Sequence, residues 1–183
     1  QHLLGIINDV LDMSKIEAGK TVFKYSDFSI LDLVQELNTI FHTQIYEKQQ
    51  TLTIIKENIQ HEWVNGDQVH LMQIFSNLLS NAVKYTQEGG KIQFFVEECE
   101  TKSSVYAKYR FLVIDNGMGM STDFKELIFD PFTRAESSVT NKIQGTGLGM
   151  AITKSLVKAM GGTIDLESEL GQGSCFEVFI DLR

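Results

Sequence analysis

The chain has 183 residues, a formal net charge of −8 and one proline, and 43% of its residues are hydrophobic. This length and composition are typical of one globular domain with a substantial core, and they exclude long proline-rich linkers. No stripe of basic residues is visible, so the acidic balance argues against nucleic acid as a partner. No apolar run approaches the roughly 20 residues that span a bilayer.

Cys99 and Cys175 are the only cysteines, and neither belongs to a CxxC motif or a histidine cluster. This pattern argues against a disulfide framework and a zinc site, and it favours two reduced, half-buried thiols. The first residue is Gln1, already inside a helical pattern, so we expect the chain to be a fragment of a longer protein.

Residues 1–18 predict the end of a long helix. Its positions with three- and four-residue spacing are Leu4, Ile7, Leu11 and Ser14. The spacing favours packing on a partner helix, and a solitary amphipathic helix lying on its own domain is the alternative. Gly19 is the expected end of this helix.

Hydrophobic periodicity and turn residues predict the remaining elements. Helices are expected after Ser26 and Asp27 to about residue 45, from the N-cap Asp67 to near Thr86, and over residues 148–160. Strands are expected at residues 21–25, 51–56, 91–100, 105–115, 163–168 and 174–182. This order predicts an α+β sandwich with a mixed, largely antiparallel sheet and helices on one face. The irregular stretch at residues 118–146 is long enough to be functional, for example as a lid.

Asn77, Asn81, Lys84 and Tyr85 share one face of the third predicted helix. Asparagine is a poor helix former, so two of them on one face cost stability unless they bind something. An asparagine oxygen can bind Mg²⁺, a lysine can neutralise phosphate, and a tyrosine can stack beside a base. A solvated polar stripe is the alternative for this helix taken alone.

Asp115 ends a strand that is predicted to be buried, and it opens the sequence DNGMG at residues 115–119. Its carboxylate can accept a hydrogen bond from the exocyclic amine of adenine, which would discriminate against guanine because guanine has a carbonyl there. Gly117 and Gly119 would let the backbone approach a ligand. In isolation, a tight Asp-Asn-Gly turn is the favoured alternative.

Gly145, Gly147 and Gly149 belong to the sequence GTGLG, which precedes the last predicted helix. A flexible backbone at a helix N-terminus favours phosphate. The pattern is weak alone: no GK[ST] follows, as a Walker loop requires, and no βαβ unit surrounds it, as a dinucleotide fingerprint requires. Together with the asparagine-bearing helix and Asp115, it predicts an ATP site.

With these residues placed, the chain resembles the ATP-binding catalytic domain of two-component sensor histidine kinases over roughly residues 20–183. Five sequence boxes carry the resemblance. They are NLLSNAVKYT at residues 77–86 (N box), DNGMG at 115–119 and GTGLG at 145–149 (first and second glycine boxes), FDPF at 129–132 (F box) and GQGS at 171–174 (last glycine box). Residues 1–19 resemble the end of the second helix of the dimerisation and phosphotransfer domain.

The resemblance implies a Bergerat-type fold, in which ATP lies between the N-box helix and a lid at about residues 118–146. It implies that Asn81 binds Mg²⁺ with the help of Asn77, and that Asp115 contacts adenine. The residues implied in catalysis are Asn77, Asn81, Lys84 and Arg134. The residues implied in ATP binding are Asn77, Asn81, Lys84, Tyr85, Asp115, Gly117, Gly119, Met120, Phe132, Gly145, Thr146, Gly147, Leu148, Gly149 and Ser174.

The implied function is transfer of the γ-phosphoryl of Mg-ATP to a histidine on the dimerisation domain of the same or a partner chain. None of His2, His42, His61 and His70 matches the acceptor motif of the family, so we expect the acceptor outside this fragment. The implied setting is the cytoplasmic domain of a bacterial, membrane-anchored homodimer that passes the phosphoryl group to a response regulator receiver domain.

Two rival functions share this fold. An ATP-gated clamp ATPase of the gyrase and heat-shock-chaperone kind places a glutamate where Asn77 stands, to activate water. Asparagine has no basic carboxylate, so efficient hydrolysis is disfavoured. A degenerate kinase that serves as a scaffold is the other rival, and the intact boxes argue against it.

Overall fold

A computed structural model describes residues 2–133 and 146–183. The helices in these residues are α1 His2–Glu17, α2 Ile30–Glu47, α3 Gln68–Tyr85, α4 Thr122–Leu127 and α5 Gly149–Ala159. The strands are β1 Ser26–Ser29, β2 Thr51–Glu57, β3 Trp63–Gly66, β4 Lys91–Cys99, β5 Ala107–Asp115, β6 Thr163–Glu169 and β7 Gly173–Leu182. No helix within these residues combines the length and apolar character needed to cross a bilayer.

The main sheet has five strands in the order β2-β4-β5-β7-β6. β2 runs parallel to β4, and the other neighbours are antiparallel. A parallel pair needs a crossover connection, and here β3 and α3 lie between β2 and β4 in the chain. A second, two-stranded sheet pairs β1 with β3. The predicted mixed, largely antiparallel sheet is therefore confirmed.

The core lies between one face of the main sheet and helices α2, α3 and α5. Alternate residues of the central strands are buried, as a sheet with one covered face requires. Phe75 on α3 packs against this face, with its ring centroid 4.4 Å from Phe111 and 5.5 Å from Phe94. The helices are therefore layered on one face of the sheet, as predicted.

The strand predicted at residues 21–25 is wrong. The first strand is β1, which pairs with β3 from Ser26 opposite Gly66 to Ser29 opposite Trp63. Ser29 then caps α2, since its hydroxyl accepts the backbone N–H of Asp32 at 3.1 Å. The alternation in residues 21–25 resembled a strand, but the partner β3 lies beside the following residues. β3 itself was not predicted, because four residues ending in Asn-Gly are typical of a turn.

Helix α1 packs on the domain through one side and leaves another side exposed. Met13 and Ile16 are partly buried against the core. Ile7 and Leu11, two of the residues with the predicted helix-packing spacing, are 46% and 51% exposed. α1 therefore lies on its own domain, the alternative considered from sequence, while the side with Ile7 and Leu11 remains accessible to a partner helix. The domain boundary at residues 19 and 20 stays a prediction.

The stretch predicted to be irregular contains one short helix, α4. Ser121 caps it by accepting the backbone N–H of Phe124 at 3.3 Å. Part of this stretch, residues 134–145, lies outside the described residues. Cys99 and Cys175 are free and half-buried, as predicted, and burial raises the pKa of both thiols.

Asp67 is the predicted N-cap of α3 and also ties the preceding loop to the helix. Its buried carboxylate accepts the backbone N–H of His70 at 3.0 Å and that of Lys24 at 2.6 Å. The imidazole Nδ1 of His70 lies 2.8 Å from the same carboxylate. Burial alone would raise the pKa of Asp67, but these hydrogen bonds outweigh it and lower the pKa. The ionised carboxylate therefore stabilises the start of α3.

Replacing Asp67 with alanine is expected to lower the free energy of unfolding by about 2–3 kcal/mol at neutral pH, because the cap is lost and the Lys24 N–H loses its acceptor. A lowered pKa in the folded state means that this contribution is complete above the ordinary value of 3.8 and is lost as the pH falls through the folded-state pKa. Urea denaturation at several pH values measures it. Asp165→Ala, at an exposed position of β6, is the matched control. If the difference in free energy of unfolding between the unmodified domain and Asp67→Ala does not shrink in acid, the ionised carboxylate is not what stabilises α3.

Candidate nucleotide-binding site

A cleft of about 460 Å³ lies between α3, the segment after β5, α4 and the start of α5. The described residues that line it are Asp9, Asn77, Ser80, Asn81, Ala82, Lys84, Tyr85, Asp115, Met118, Gly119, Met120, Ser121, Phe124, Ile128, Thr133, Thr146, Gly147, Gly149, Met150, Leu170, Ser174 and Phe176. A larger, more open hollow of about 870 Å³ lies at the other end of β4 and β5 and includes none of the predicted site residues.

Most of the predicted site residues that the structure describes line the cleft. They are Asn77, Asn81, Lys84, Tyr85, Asp115, Gly119, Met120, Thr146, Gly147, Gly149 and Ser174. Three predicted residues do not line it: Gly117 and Leu148 are buried beside it, and Phe132 is 67% exposed. Phe132 contacts a lining residue through its backbone, because its N–H donates to the Gly147 carbonyl at 3.0 Å. Arg134 and Gly145 lie outside the described residues.

Asn77 is fixed in place by α5. Its amide nitrogen donates to the Gly149 carbonyl and to the Thr153 hydroxyl, both at 3.2 Å. Because α5 occupies the amide nitrogen, the part of this side chain left to meet a ligand is its oxygen. That oxygen can accept a hydrogen bond or coordinate a metal ion. Asn81 lies one turn further along α3 and lines the same cleft.

The C-terminal end of α3 is held by two side chains from the α2–β2 connection. The Lys48 ammonium donates to the carbonyls of Val83 at 2.6 Å and of Lys84 and Thr86 at 3.2 Å. The Gln50 amide donates to the Val83 and Thr86 carbonyls at 3.1 and 2.8 Å. A cation at this end also matches the helix dipole. These bonds fix the turn that presents the cleft-lining lysine and tyrosine of α3.

Asp115 is the buried acid of the cleft, with 8% of its surface exposed. Burial raises its pKa, and the backbone N–H groups of Gly117 and Ser174, which donate to the carboxylate, oppose that rise. The Gly117 bond is 2.8 Å long. Such a carboxylate, lying in a cleft and accepting bonds from fixed backbone donors, is well placed to accept a further hydrogen bond from a ligand.

The segment after β5 approaches its neighbours too closely for side chains. Gly119 has a φ of +62°, and a Cβ there would lie 1.9 Å from the Glu169 carbonyl oxygen. A Cβ on Gly117 would lie 2.5 Å from the Tyr85 carbonyl oxygen. Both positions therefore need glycine, and the reason is contact with the rest of the fold as well as access for a ligand.

The start of α5 forms the other end of the cleft. Its N-cap residue, Leu148, makes no side-chain hydrogen bond to the first turn. The backbone N–H groups of a helix N-terminus carry partial positive charge, so this end favours an anion. Among the described lining residues, Lys84 is the one cation, and its ammonium lies 5.2 Å from the centroid of the Tyr85 ring.

Several lining residues were not predicted from the sequence. They include Asp9 from α1, Phe124 from α4 and Phe176 from β7, each in a different segment. Met118 lies inside the first glycine box, and Ser121 and Phe176 each lie two residues beyond a glycine box, so proximity to a box was the available signal for these residues. Asp9 had no such signal, because its position depends on how α1 packs.

The donor set fits Mg²⁺ held jointly with a polyphosphate. The described residues contain no cluster of three or more histidine, cysteine or acidic side chains suited to a metal alone. Asn77 and Asn81 both line the cleft, and Asn77 is hydrogen-bonded to the start of α5, the end that favours an anion. Mg²⁺ prefers oxygen ligands and keeps waters and substrate phosphates, so few protein ligands suffice.

Comparisons with known proteins identify the family of this chain. The family model described as "Histidine kinase-, DNA gyrase B-, and HSP90-like ATPase" matches residues 66–183. Hybrid signal transduction histidine kinase B of Dictyostelium discoideum is 41% identical over 181 residues, covering 98% of this chain and 9% of the relative. Sensor protein GacS of Pseudomonas syringae pv. syringae is 39% identical over 181 residues, covering 99% and 20%. The chain thus spans a fifth or less of the length of these relatives.

Solved structures of histidine kinases have folds similar to that of this chain. Full-length ShkA in complex with AMPPNP has a TM-score of 0.82 and 28% identity, covering 99% of this chain and 36% of that chain. Histidine kinase ThkA in complex with the response regulator protein TrrA has a TM-score of 0.71 and 25% identity, covering 100% and 48%. The chain therefore belongs to the histidine kinase-, DNA gyrase B-, and HSP90-like ATPase family, and these relatives and solved structures are histidine kinases.

Proposed function

We propose that this domain binds Mg-ATP in the cleft and presents the γ-phosphoryl to a histidine on a helical dimerisation domain. The observation that carries the proposal is that the two ends of one cleft differ in charge and hydrogen-bonding character. One end has the buried carboxylate of Asp115, and the other has the N-terminus of α5 with Asn77 and Lys84. A nucleotide needs this combination, because its base requires a directional acceptor and its phosphates require positive potential.

The base end favours adenine. Asp115 is an acceptor, and adenine has an exocyclic amine that donates, whereas guanine has a carbonyl at that position. The apolar side chains of Met120, Ile128 and Phe176 line the same cleft and can cover the base. The AMPPNP complex of ShkA, an adenine-nucleotide complex of a similar fold, supports an adenine nucleotide as the ligand.

The phosphate end supplies charge and metal ligands. Asn81 would hold Mg²⁺ with the help of Asn77, and the metal would neutralise charge on the phosphates. Lys84 adds a cation, and Arg134 is proposed to add another from the lid. The chain's own contribution to catalysis is then positioning and charge neutralisation.

Phosphoryl transfer needs an acceptor outside the cleft. A nitrogen of the acceptor imidazole forms the new bond to the γ-phosphorus. The bond to the β–γ bridging oxygen breaks, and its electron pair leaves with ADP. We propose that this acceptor lies on the dimerisation domain of the same or a partner chain in a membrane-anchored homodimer, and that the phosphoryl group passes on to a receiver domain. The ThkA complex with a response regulator supports the last step.

A hydrolytic clamp is not favoured. The α3 position that a clamp ATPase uses for its glutamate holds Asn77, whose nitrogen is bound to α5. An amide cannot take a proton from water, so this helix offers no general base at that point.

The test is nucleotide binding followed by transfer. Isothermal titration of this domain with AMPPNP and Mg²⁺ is expected to show one site. The full-length protein with γ-labelled ATP is expected to acquire an acid-labile, base-stable label, as phosphohistidine does. Absence of nucleotide binding would reject the site, and rapid release of phosphate without any labelled protein would favour the clamp.

A further inference from the structure

Asp9 on α1 lies at the phosphate end of the nucleotide cleft. Its carboxylate lines the cleft and accepts a hydrogen bond from the Thr146 hydroxyl at 2.9 Å. The same hydroxyl oxygen accepts the backbone N–H of Leu148 at 3.2 Å, just before α5 begins at Gly149. An acidic side chain from a helix outside the nucleotide-binding boxes therefore contacts the loop that would cradle phosphate.

The packing of α1 on the domain holds Asp9 there. Met13 and Ile16, one and two turns further along, are partly buried against the core. Gln73 of α3 donates to the Asp12 carboxylate at 3.3 Å. This packing keeps the backbone of Asp9 beside the cleft as long as α1 is docked, and the bond from Thr146 holds its carboxylate there.

The charge of Asp9 opposes that of a bound triphosphate. Both are negative and would share a partly enclosed cleft, where solvent screens charges less than at an open surface. Lys84 is the one cation among the lining residues that the structure describes. We infer that Asp9 makes docking of α1 and binding of the nucleotide phosphates mutually antagonistic, an inference that rests on the proposed ATP site.

The antagonism must act in both directions. If docked α1 weakens ATP binding, bound ATP weakens the docking of α1 by the same factor. ATP would thereby loosen the docking of α1 and let this helix move relative to the nucleotide. Since Ile7 and Leu11 on the same helix are exposed, occupancy of the cleft would be transmitted to whatever helix packs on them.

The decisive variant is Asp9→Asn, which removes the charge and keeps a side-chain oxygen to accept from Thr146. We expect its affinity for ATP to rise by about five- to tenfold at low salt, with a smaller rise for ADP and none for adenosine. Isothermal titration with each ligand measures this series. Asp165→Asn is the matched control, because it makes the same charge change at an exposed position of β6, outside the cleft and away from the packing of α1, and it is expected to change ATP affinity much less.

The outcomes separate this inference from its rivals. Equal changes for ATP and adenosine would show that Asp9 acts only through loop structure, and no change would show that it does not sense phosphate. A fall in ATP affinity that appears only with Mg²⁺ would make it a metal ligand. Each of these overturns the inference while leaving the ATP site intact, whereas failure of the unmodified domain to bind ATP would reject the proposed function itself.

A second readout tests the reverse direction. Hydrogen exchange of the α1 amides is expected to accelerate when ATP is added to the unmodified domain, and to accelerate less in Asp9→Asn. Slower exchange in α1 with ATP would contradict the inference, because it would mean that nucleotide and docked helix support each other.

Discussion

Asp115→Asn is expected to weaken ATP binding by roughly 10- to 150-fold, the equivalent of about 1.5–3 kcal/mol for a lost hydrogen bond to a charged group. The carboxylate offers only acceptors, while an amide can place its NH₂ group against the adenine amine. The backbone N–H groups of Gly117 and Ser174 already donate to this side chain, so they favour one orientation of the amide oxygen. Titration with AMPPNP and Mg²⁺ measures the loss.

The base itself provides the sharpest control for this variant. Guanine carries a carbonyl where adenine carries the amine, so the amide introduced by Asp115→Asn could donate to it. We expect the preference for ATP over GTP to shrink or reverse in the variant. Asp165→Asn, at an exposed acid on β6, is expected to change neither affinity. An undiminished preference for ATP would show that Asp115 does not read the base.

The pH dependence of binding gives an independent check on Asp115. Burial raises its pKa above the ordinary 3.8, despite the opposing backbone hydrogen bonds. For an acid this sign means that the ionised form costs folding stability, and that the cost is relieved as the pH falls. ATP affinity depends on pH in the opposite sense: it falls as the pH falls, because protonation of Asp115 removes the acceptor for adenine. ATP affinity of the unmodified domain is expected to fall in mild acid, while that of Asp115→Asn stays nearly level through the same range.

The parts of the fold that sequence predicted are those controlled by local signals. Asp67 was predicted to cap α3, and it does so because the cap depends on residues three apart. The parts that were wrong depend on distant pairing: β1 was placed too early because its partner β3 is more than 30 residues away and is only four residues long. Short edge strands owe their existence to that partner more than to their own pattern.

The same distinction divides the candidate site. Residues within sequence boxes, such as Asn81, Asp115 and Gly147, were brought together as predicted. Lys48 and Asp9 were missed, since one fixes the end of α3 from the preceding connection and the other depends on the packing of α1. Contacts of this kind join segments far apart in the chain, and one sequence holds no signal of them.

Asn81→Ala is expected to reduce phosphoryl transfer by at least roughly 100-fold, because the proposed metal ligand is removed where charge must be neutralised. The rate of transfer is measured as the incorporation of label into the full-length protein from γ-labelled ATP. Asn38→Ala makes the same substitution on α2, outside the cleft, and is expected to leave the rate unchanged. Asn81 adds no positive charge itself, so its effect on binding should depend on the metal.

Binding with and without metal distinguishes this role from a direct one. If Asn81 acts by holding Mg²⁺, the variant should bind ATP about tenfold more weakly than the unmodified domain in Mg²⁺, and equally well in EDTA. If it contacts the phosphates directly, the loss should persist in EDTA. Because Asn77 is tied to Gly149 and Thr153 through its nitrogen, Asn77→Ala should also disturb the start of α5 and lose affinity in both conditions. The two asparagines, four residues apart on one helix face, would then be separated into a metal ligand and a residue that positions the phosphate-binding end of α5.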